Sequence, residues 1–270
     1  MHLPPKSNNP IGVFDSGLGG LTVVKELFVA LPKENIVYFG DTARVPYGTK
    51  SRETIIRYSR EIVGVLLKHK VKMIVVACNT ASSLALDVLR QECPVPIVGV
   101  IDPGAKKAAL STKSKKVGII ATASTIKSGK YAKRLKDFEP NVHVVSQPCP
   151  LFVPLVEEGW FDHDITRRVG NEYLGGLKKE GIDTLILGCT HYPLLKTMIA
   201  RVMGSKVTLI DSASEVAMEV KAILQSKNLL RLKNKTLRHL YLVSDEPDIF
   251  KYRAIRFLGT NVTNVKKCGF

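Results

Sequence analysis

Val75-Val76-Ala77-Cys78-Asn79-Thr80-Ala81 and Ile186-Leu187-Gly188-Cys189-Thr190-His191-Tyr192 follow one pattern: an apolar run, a small residue, a cysteine, then side chains that hydrogen-bond. Each run reads as a buried strand that ends at a helix start. A single cysteine there is more often a small core residue. Two of them, delivered from matching places, predict paired acid and base chemistry on one substrate.

Outward from these stretches, short β-like runs alternate with segments of helical length. The expected strands are Ile11–Phe14, Ile36–Phe39, Met73–Ala77, Ile97–Val100, Val117–Ala121, Val142–Ser146, Thr184–Leu187 and Val207–Ile210. Helical spacing of apolar residues marks Leu21–Leu31, Ser51–Lys68, Ala81–Arg90, Ile126–Lys136, Asp164–Lys179 and Leu194–Met203. Such alternation predicts an α/β fold with parallel sheets covered by helices. The repeat extends beyond the cysteines, because Ile11-Gly12-Val13-Phe14-Asp15 aligns with Val117-Gly118-Ile119-Ile120-Ala121, each as the opening strand of its half. Two similar α/β domains related by internal duplication are therefore expected. The first takes residues 1–100 and the second 101–210, with 211–270 too short for a third and packing back on the first. Asp211-Ser212-Ala213-Ser214-Glu215 predicts a helix start, since Asp and Ser satisfy free N-terminal amides.

A chain of 270 residues can bury a proper core without metal or disulfides. Its five cysteines are odd in number and lack close CxxC spacing, which argues against a disulfide framework or a zinc module and points to a reducing cytoplasm. The first ten residues lack an apolar signal core, and no run approaches the roughly 20 residues a membrane span requires. The formal charge of +16 raises the question of a polyanion partner. The basic residues are scattered, however, over 106–107, 113–116, 127–136 and 227–238, with few aromatics between them. That pattern reads as a solvated basic surface rather than a nucleic-acid face.

Asp15-Ser16-Gly17-Leu18-Gly19-Gly20 follows the first strand and lets backbone amides approach a ligand closely. Thr22 stands where the dinucleotide fingerprint needs its third glycine, and a carboxylate beside a phosphate site would repel it. Asp15 then either caps the turn, or binds an ammonium group or steers a nearby proton acceptor. The turn Val45-Pro46-Tyr47-Gly48 lies after the second strand, where open α/β sheets bind ligands, and offers backbone donors and a phenol to a carboxylate. A helix start at each cysteine is expected to favour thiolate over thiol. His191 is placed to orient or protonate Cys189 and Asp15 to serve Cys78, while Asn79, Thr80 and Thr190 supply amides and hydroxyls for a small polar ligand. Farther along, Cys149 reads as packing, Trp160 as core or interface, and Glu157 as either an approach to the cleft or a solvated acid.

Four anchors carry a resemblance: Gly12–Gly20, Asp41–Gly48, Ala77–Ser82 and Gly188–Leu194. In this order they resemble the glutamate racemases of the aspartate/glutamate racemase superfamily, from Ile11 to about Ser214. The resemblance implies a racemase that uses no cofactor and no metal, interconverts L- and D-glutamate, supplies D-glutamate for bacterial peptidoglycan, and binds substrate in the cleft between two α/β domains. It places the catalytic pair on Cys78, acting on D-glutamate, and Cys189, acting on L-glutamate. Asp15 and His191 assist them, with Glu157 near His191. Substrate contacts fall on Asp15, Ser16, Pro46, Tyr47, Gly48, Asn79, Thr80, Thr122, Thr190 and His191. The strong basicity departs from the family pattern and concerns partners or assembly, a homodimer included, rather than chemistry. Two other readings stay open: racemisation of aspartate or another small acid, and a basic nucleic-acid binder on a racemase-like scaffold.

Overall fold

A computed structural model describes residues 4–232 and 236–270; residues 1–3 of the N-terminal segment and 233–235 of the basic stretch lie outside the described residues. The chain runs β1 (Ile11–Asp15), α1 (Leu21–Ala30), β2 (Ile36–Gly40), α2 (Arg52–Lys68), β3 (Met73–Val76), α3 (Asn79–Leu84), α4 (Leu86–Glu92), β4 (Ile97–Gly99) and α5 (Ile101–Ser111). There follow β5 (Lys116–Ala121), α6 (Ala123–Lys127), α7 (Lys130–Phe138), β6 (His143–Pro148), α8 (Phe152–Glu157), α9 (Asp164–Lys179) and β7 (Thr184–Gly188). The last part holds α10 (Lys196–Met203), β8 (Thr208–Asp211), α11 (Ser212–Ser226), β9 (Leu240–Val243), α12 (Pro247–Leu258) and β10 (Val265–Lys267).

Two wholly parallel sheets result, with strand orders β10-β9-β2-β1-β3-β4 and β6-β5-β7-β8. Strands β1, β2, β3 and β7 are buried along their whole length, which is why they read as continuous apolar runs rather than alternations. Both sheets contain the same arrangement, an opening strand flanked by the second on one side and the third and fourth on the other. β3, before Cys78, and β7, before Cys189, occupy equivalent places in it. Beside the opening strand the order reverses, and in open α/β sheets that crevice is where ligands bind. β9 and β10 extend the first sheet past β2, Tyr38 pairing in register with Tyr241. Among the described residues, no helix is long and apolar enough to cross a membrane.

The eight expected strands appear with ends shifted by at most two residues. Three expected helices are interrupted. Ala81–Arg90 divides at Ala85 into α3 and α4, where Ser82 turns its hydroxyl to the Val76 carbonyl at 2.8 Å. Ile126–Lys136 divides at Gly129, whose φ of 64° lies in the left-handed region that favours glycine. Leu194–Met203 starts as a 3-10 turn over Tyr192–Leu195 before α10. Trp160 is not core: 41% of it is exposed, with its ring stacked on His163 at 4.7 Å. The predicted start at Asp211 is present, its side chain accepting from the Ala213 amide at 2.9 Å.

Beneath the N-terminal ends of the first sheet lies a buried ion pair. Lys72 Nζ donates to Glu34 Oε2 at 2.6 Å and to the carbonyls of Ser7 and Leu229, each at 2.7 Å, while Glu34 Oε1 accepts from the Arg231 amide at 2.9 Å. All three ammonium protons are used, and the pair ties the segments around Ser7 and Leu229 to the sheet. Removing one partner leaves the other charge buried alone. Lys72→Ala is therefore expected to lower unfolding stability by about 3–5 kcal/mol in urea titration, and a paired Lys72→Met, Glu34→Leu variant by much less. Equal losses in the two variants would count against a charge-based account.

Candidate active site

A cavity of about 400 Å³ opens between the two sheets, at the C-terminal ends of their strands. Its lining includes Ser16, Pro46, Tyr47, Gly48, Cys78, Asn79, Thr80, Thr122, Glu157, Cys189, Thr190 and His191. All but one of the sequence-derived site residues thus share one wall surface. The exception is Asp15, which is fully buried behind the wall and reaches the cavity only through its neighbours. Val45 of the same turn adds apolar surface to the cavity, as do Pro150, Val153 and Pro154 at and within α8, which the motif reading missed because apolar residues there look like ordinary packing.

Cys78 is the N-cap residue of α3 and is 5% exposed. Thiolate was expected to be favoured here; the structure corrects this for the resting protein. Burial pushes the Cys78 thiol up to about 12, and the nearby Asp15 carboxylate adds to the shift, outweighing the Ala81 amide and the Ser16 hydroxyl. α3 has only six residues, too short for its end charge to reverse that cost. Asp15 itself is raised above the ordinary carboxylate range by burial, offset in part by the charge of His191 and by the amides of Gly17 and Gly20. Its oxygens accept from the Gly17 amide at 3.0 Å and from Thr190 Oγ1 at 3.4 Å. The α1 N-cap is Gly20, so Asp15 does not cap that helix. It links the turn after β1 to the turn after β7.

Cys189 sits in a turn after β7, with the Tyr192 amide donating to its carbonyl at 3.1 Å. No α-helix starts at this cysteine, contrary to the symmetric expectation. Its sulfur has a different helper, His191 Nδ1 at 3.9 Å. The other ring nitrogen, Nε2, lies 3.0 Å from Glu157 Oε1, and the Phe257 ring meets the imidazole edge-on at 5.5 Å. Burial disfavours the imidazolium, but the partnership with Cys189 and with Glu157 outweighs it and raises His191 to about 10. Glu157 responds in kind: burial pushes its carboxyl up, and the bond and charge of His191 hold it below the usual range. A Cys189–His191–Glu157 chain results, in which the carboxylate orients the imidazole and the imidazole faces the sulfur.

Polar groups bridge the cavity's two sides. Thr80 Oγ1 and Thr122 Oγ1 are 2.9 Å apart, and Thr125 Oγ1 lies within 2.9 Å of Thr122 and 3.3 Å of Thr80. Ser124 Oγ donates to the Gly48 carbonyl at 2.7 Å. Thr125 and Ser124 escaped the motif reading because hydroxyls in a helix's first turn look like ordinary caps. Tyr131 OH donates to Asn79 Oδ1 at 2.7 Å, so the Asn79 amide nitrogen is the end left for a ligand. The Tyr47 phenol, expected to meet a carboxylate of the ligand, instead donates to Asp41. What remains for a ligand at that turn is backbone.

The site thus joins two thiols, one from each sheet, with unlike helpers in one enclosed volume. A sequence model of the Asp/Glu/Hydantoin racemase family matches residues 11–220. The chain is 53% identical over 255 residues to a glutamate racemase of Geobacter metallireducens, covering 94% of each chain. Its fold superposes on a glutamate racemase isoform from Bacillus anthracis with a TM-score of 0.94 at 41% identity, covering 97% of this chain and 98% of that one. A glutamate racemase from Francisella tularensis, solved in complex with D-glutamate, gives a TM-score of 0.91 at 40% identity over 97% and 98% of the two chains.

Proposed function

The chain belongs to the Asp/Glu/Hydantoin racemase family, and from that premise we propose that it interconverts L- and D-glutamate by proton transfer between two thiols, without a cofactor. The observation that carries this reading is the presence of Cys78 and Cys189 on one cavity, each delivered by an equivalent strand of its own sheet. Racemisation removes a proton from one face of the α-carbon and returns one to the other. A base and an acid must therefore flank it.

In the L to D direction the Cys189 sulfur, facing a protonated His191, takes the α-proton as thiolate, and Cys78 gives its proton to the opposite face. A thiol held near 12 is suited to stay protonated until that moment. The reverse direction starts from the Cys78 thiolate, which Asp15 opposes. The substrate ammonium group near the Asp15 side of the cavity offsets both negative charges, so that the base forms with substrate bound rather than in the empty site. Charge that develops on the substrate carboxylate is met by Ser16, the Gly48 backbone, the Asn79 side chain and the backbone donors around Thr190. The cytoplasmic placement, and the supply of D-glutamate to peptidoglycan, belong to the same proposal.

The test is direct. Purified protein given L-glutamate, D-glutamate, or either enantiomer of aspartate is followed by circular dichroism. Decay of the signal to zero from both glutamate enantiomers is expected; decay with aspartate alone, or with neither acid, would overturn the reading.

A further inference from the structure

The guanidinium of Arg44 lies between two aromatic faces, 3.9 Å from the centroid of Tyr58 and 3.7 Å from that of Phe270. In its own plane it bonds Asp41 Oδ2 through Nε at 2.7 Å and Glu61 through Nη1, while Nη2 is buried with no hydrogen-bond partner among the described residues. Asp41 is fully buried and also accepts from the Tyr47 phenol and, on Oδ1, from Ser244 Oγ at 2.8 Å; its amide donates to the Asp15 carbonyl at 3.1 Å. Tyr58 packs on Tyr47 at 5.8 Å and Phe270 on Phe39 at 5.5 Å. A continuous column thus runs from Phe270, about half exposed, to the cavity wall. Its weak point is Arg44, because a guanidinium with an unbonded Nη2 is held in place partly by ring faces. Without one ring, water reaches Nη2 and the group can leave Asp41.

We propose that Phe270, acting through Arg44 and Asp41, is a positioning residue for the ligand-binding turn Pro46–Gly48. The role in turnover rests on the glutamate reading above, whereas the effect on the turn does not. Ordering that turn at the moment of binding costs affinity, so loss of the clamp appears in KM rather than in the proton transfers, whose groups lie on other segments.

Three variants separate the ring face from mere bulk. Phe270→Ala and Phe270→Leu are expected to raise KM for both enantiomers roughly two- to fivefold with kcat nearly unchanged, and Phe270→Tyr to restore it. Hydrogen exchange, read without substrate, should quicken at residues 44–50 in the Ala and Leu variants while the strands of both sheets keep their protection. Unchanged exchange at 44–50 in Phe270→Ala, or restoration by Leu as complete as by Tyr, would overturn the proposal. A failure of the wild-type protein to racemise glutamate would remove the functional reading and leave the exchange result to decide the clamp.

Discussion

Cys78→Ala and Cys189→Ala are each expected to lower glutamate racemisation by roughly 10³-fold, since under the two-thiol proposal each removes the group that acts on one face of the α-carbon. The two variants should then differ in a second measurement. In deuterated water Cys78→Ala retains the Cys189 base and should exchange the α-proton of L-glutamate without inverting it, and Cys189→Ala should do so with D-glutamate alone. Proton NMR and chiral chromatography read both outcomes. Racemisation within about tenfold of wild type in either variant would end the two-thiol mechanism.

Unlike helpers do not license unlike racemisation rates in the two directions. Enantiomers have equal free energy in water, so every variant must lower kcat/KM by the same factor for L- and D-glutamate. The asymmetry of Asp15 on one side and His191–Glu157 on the other is confined to kcat, KM and exchange taken separately. Buried beside an acid, Cys78 rests as a thiol; Cys189 instead faces an imidazole held protonated to about pH 10.

What was legible in the sequence follows from where burial writes a pattern. Parallel strands covered on both faces leave unbroken apolar runs, so β1–β5, β7 and the duplicated cysteines could be read directly, whereas the half-covered β6 and β8 were read from the alternation of elements around them. β10, Val265–Lys267, escaped because an edge strand bearing lysines carries no such run. α5 and α8 escaped because Pro103 and Pro154 look like breaks, although proline is tolerated in a helix's first turn. α12 begins with Pro247 and ends before Gly259 at a φ of 76°, an end signal that was present and unread. In the site, residue types were legible and directions were not. The Tyr47 phenol turns back to Asp41 within its own loop, a direction that residue spacing does not encode, and Asp15 lies behind the wall, where its partner Thr190 comes from the other half of the chain. The thiolate expectation for Cys78 failed for a related reason: a helix start is visible in sequence, whereas the desolvation that opposes it is a property of the assembled cleft.

Gly19→Ala is expected to lower kcat/KM by about 100-fold or more while the protein still folds, and the reason differs from the one a glycine-rich turn first invites. Gly19 is not among the glycines of positive φ, so its backbone would accept an alanine. The obstacle is space. A Cβ there would overlap Thr190 Oγ1 and come within 2.5 Å of His191 Nδ1, the nitrogen that faces Cys189. Neither neighbour can yield without cost, since Thr190 is bonded to Asp15 and His191 is fixed by Glu157 on its far side. The absent side chain therefore lets the turn after β1 press against the helpers of the second thiol, which is how a residue of one sheet aligns a base carried by the other. Gly64→Ala is the matched control: in α2, with no heavy atom within 4 Å of its Cβ, it should leave kcat/KM unchanged and add about 0.5–1 kcal/mol of stability. Steady-state kinetics and thermal unfolding of the two variants decide the matter. A Gly19→Ala enzyme within a few-fold of wild type would show that the His191–Cys189 geometry tolerates displacement, and with it that this contact does not set the base.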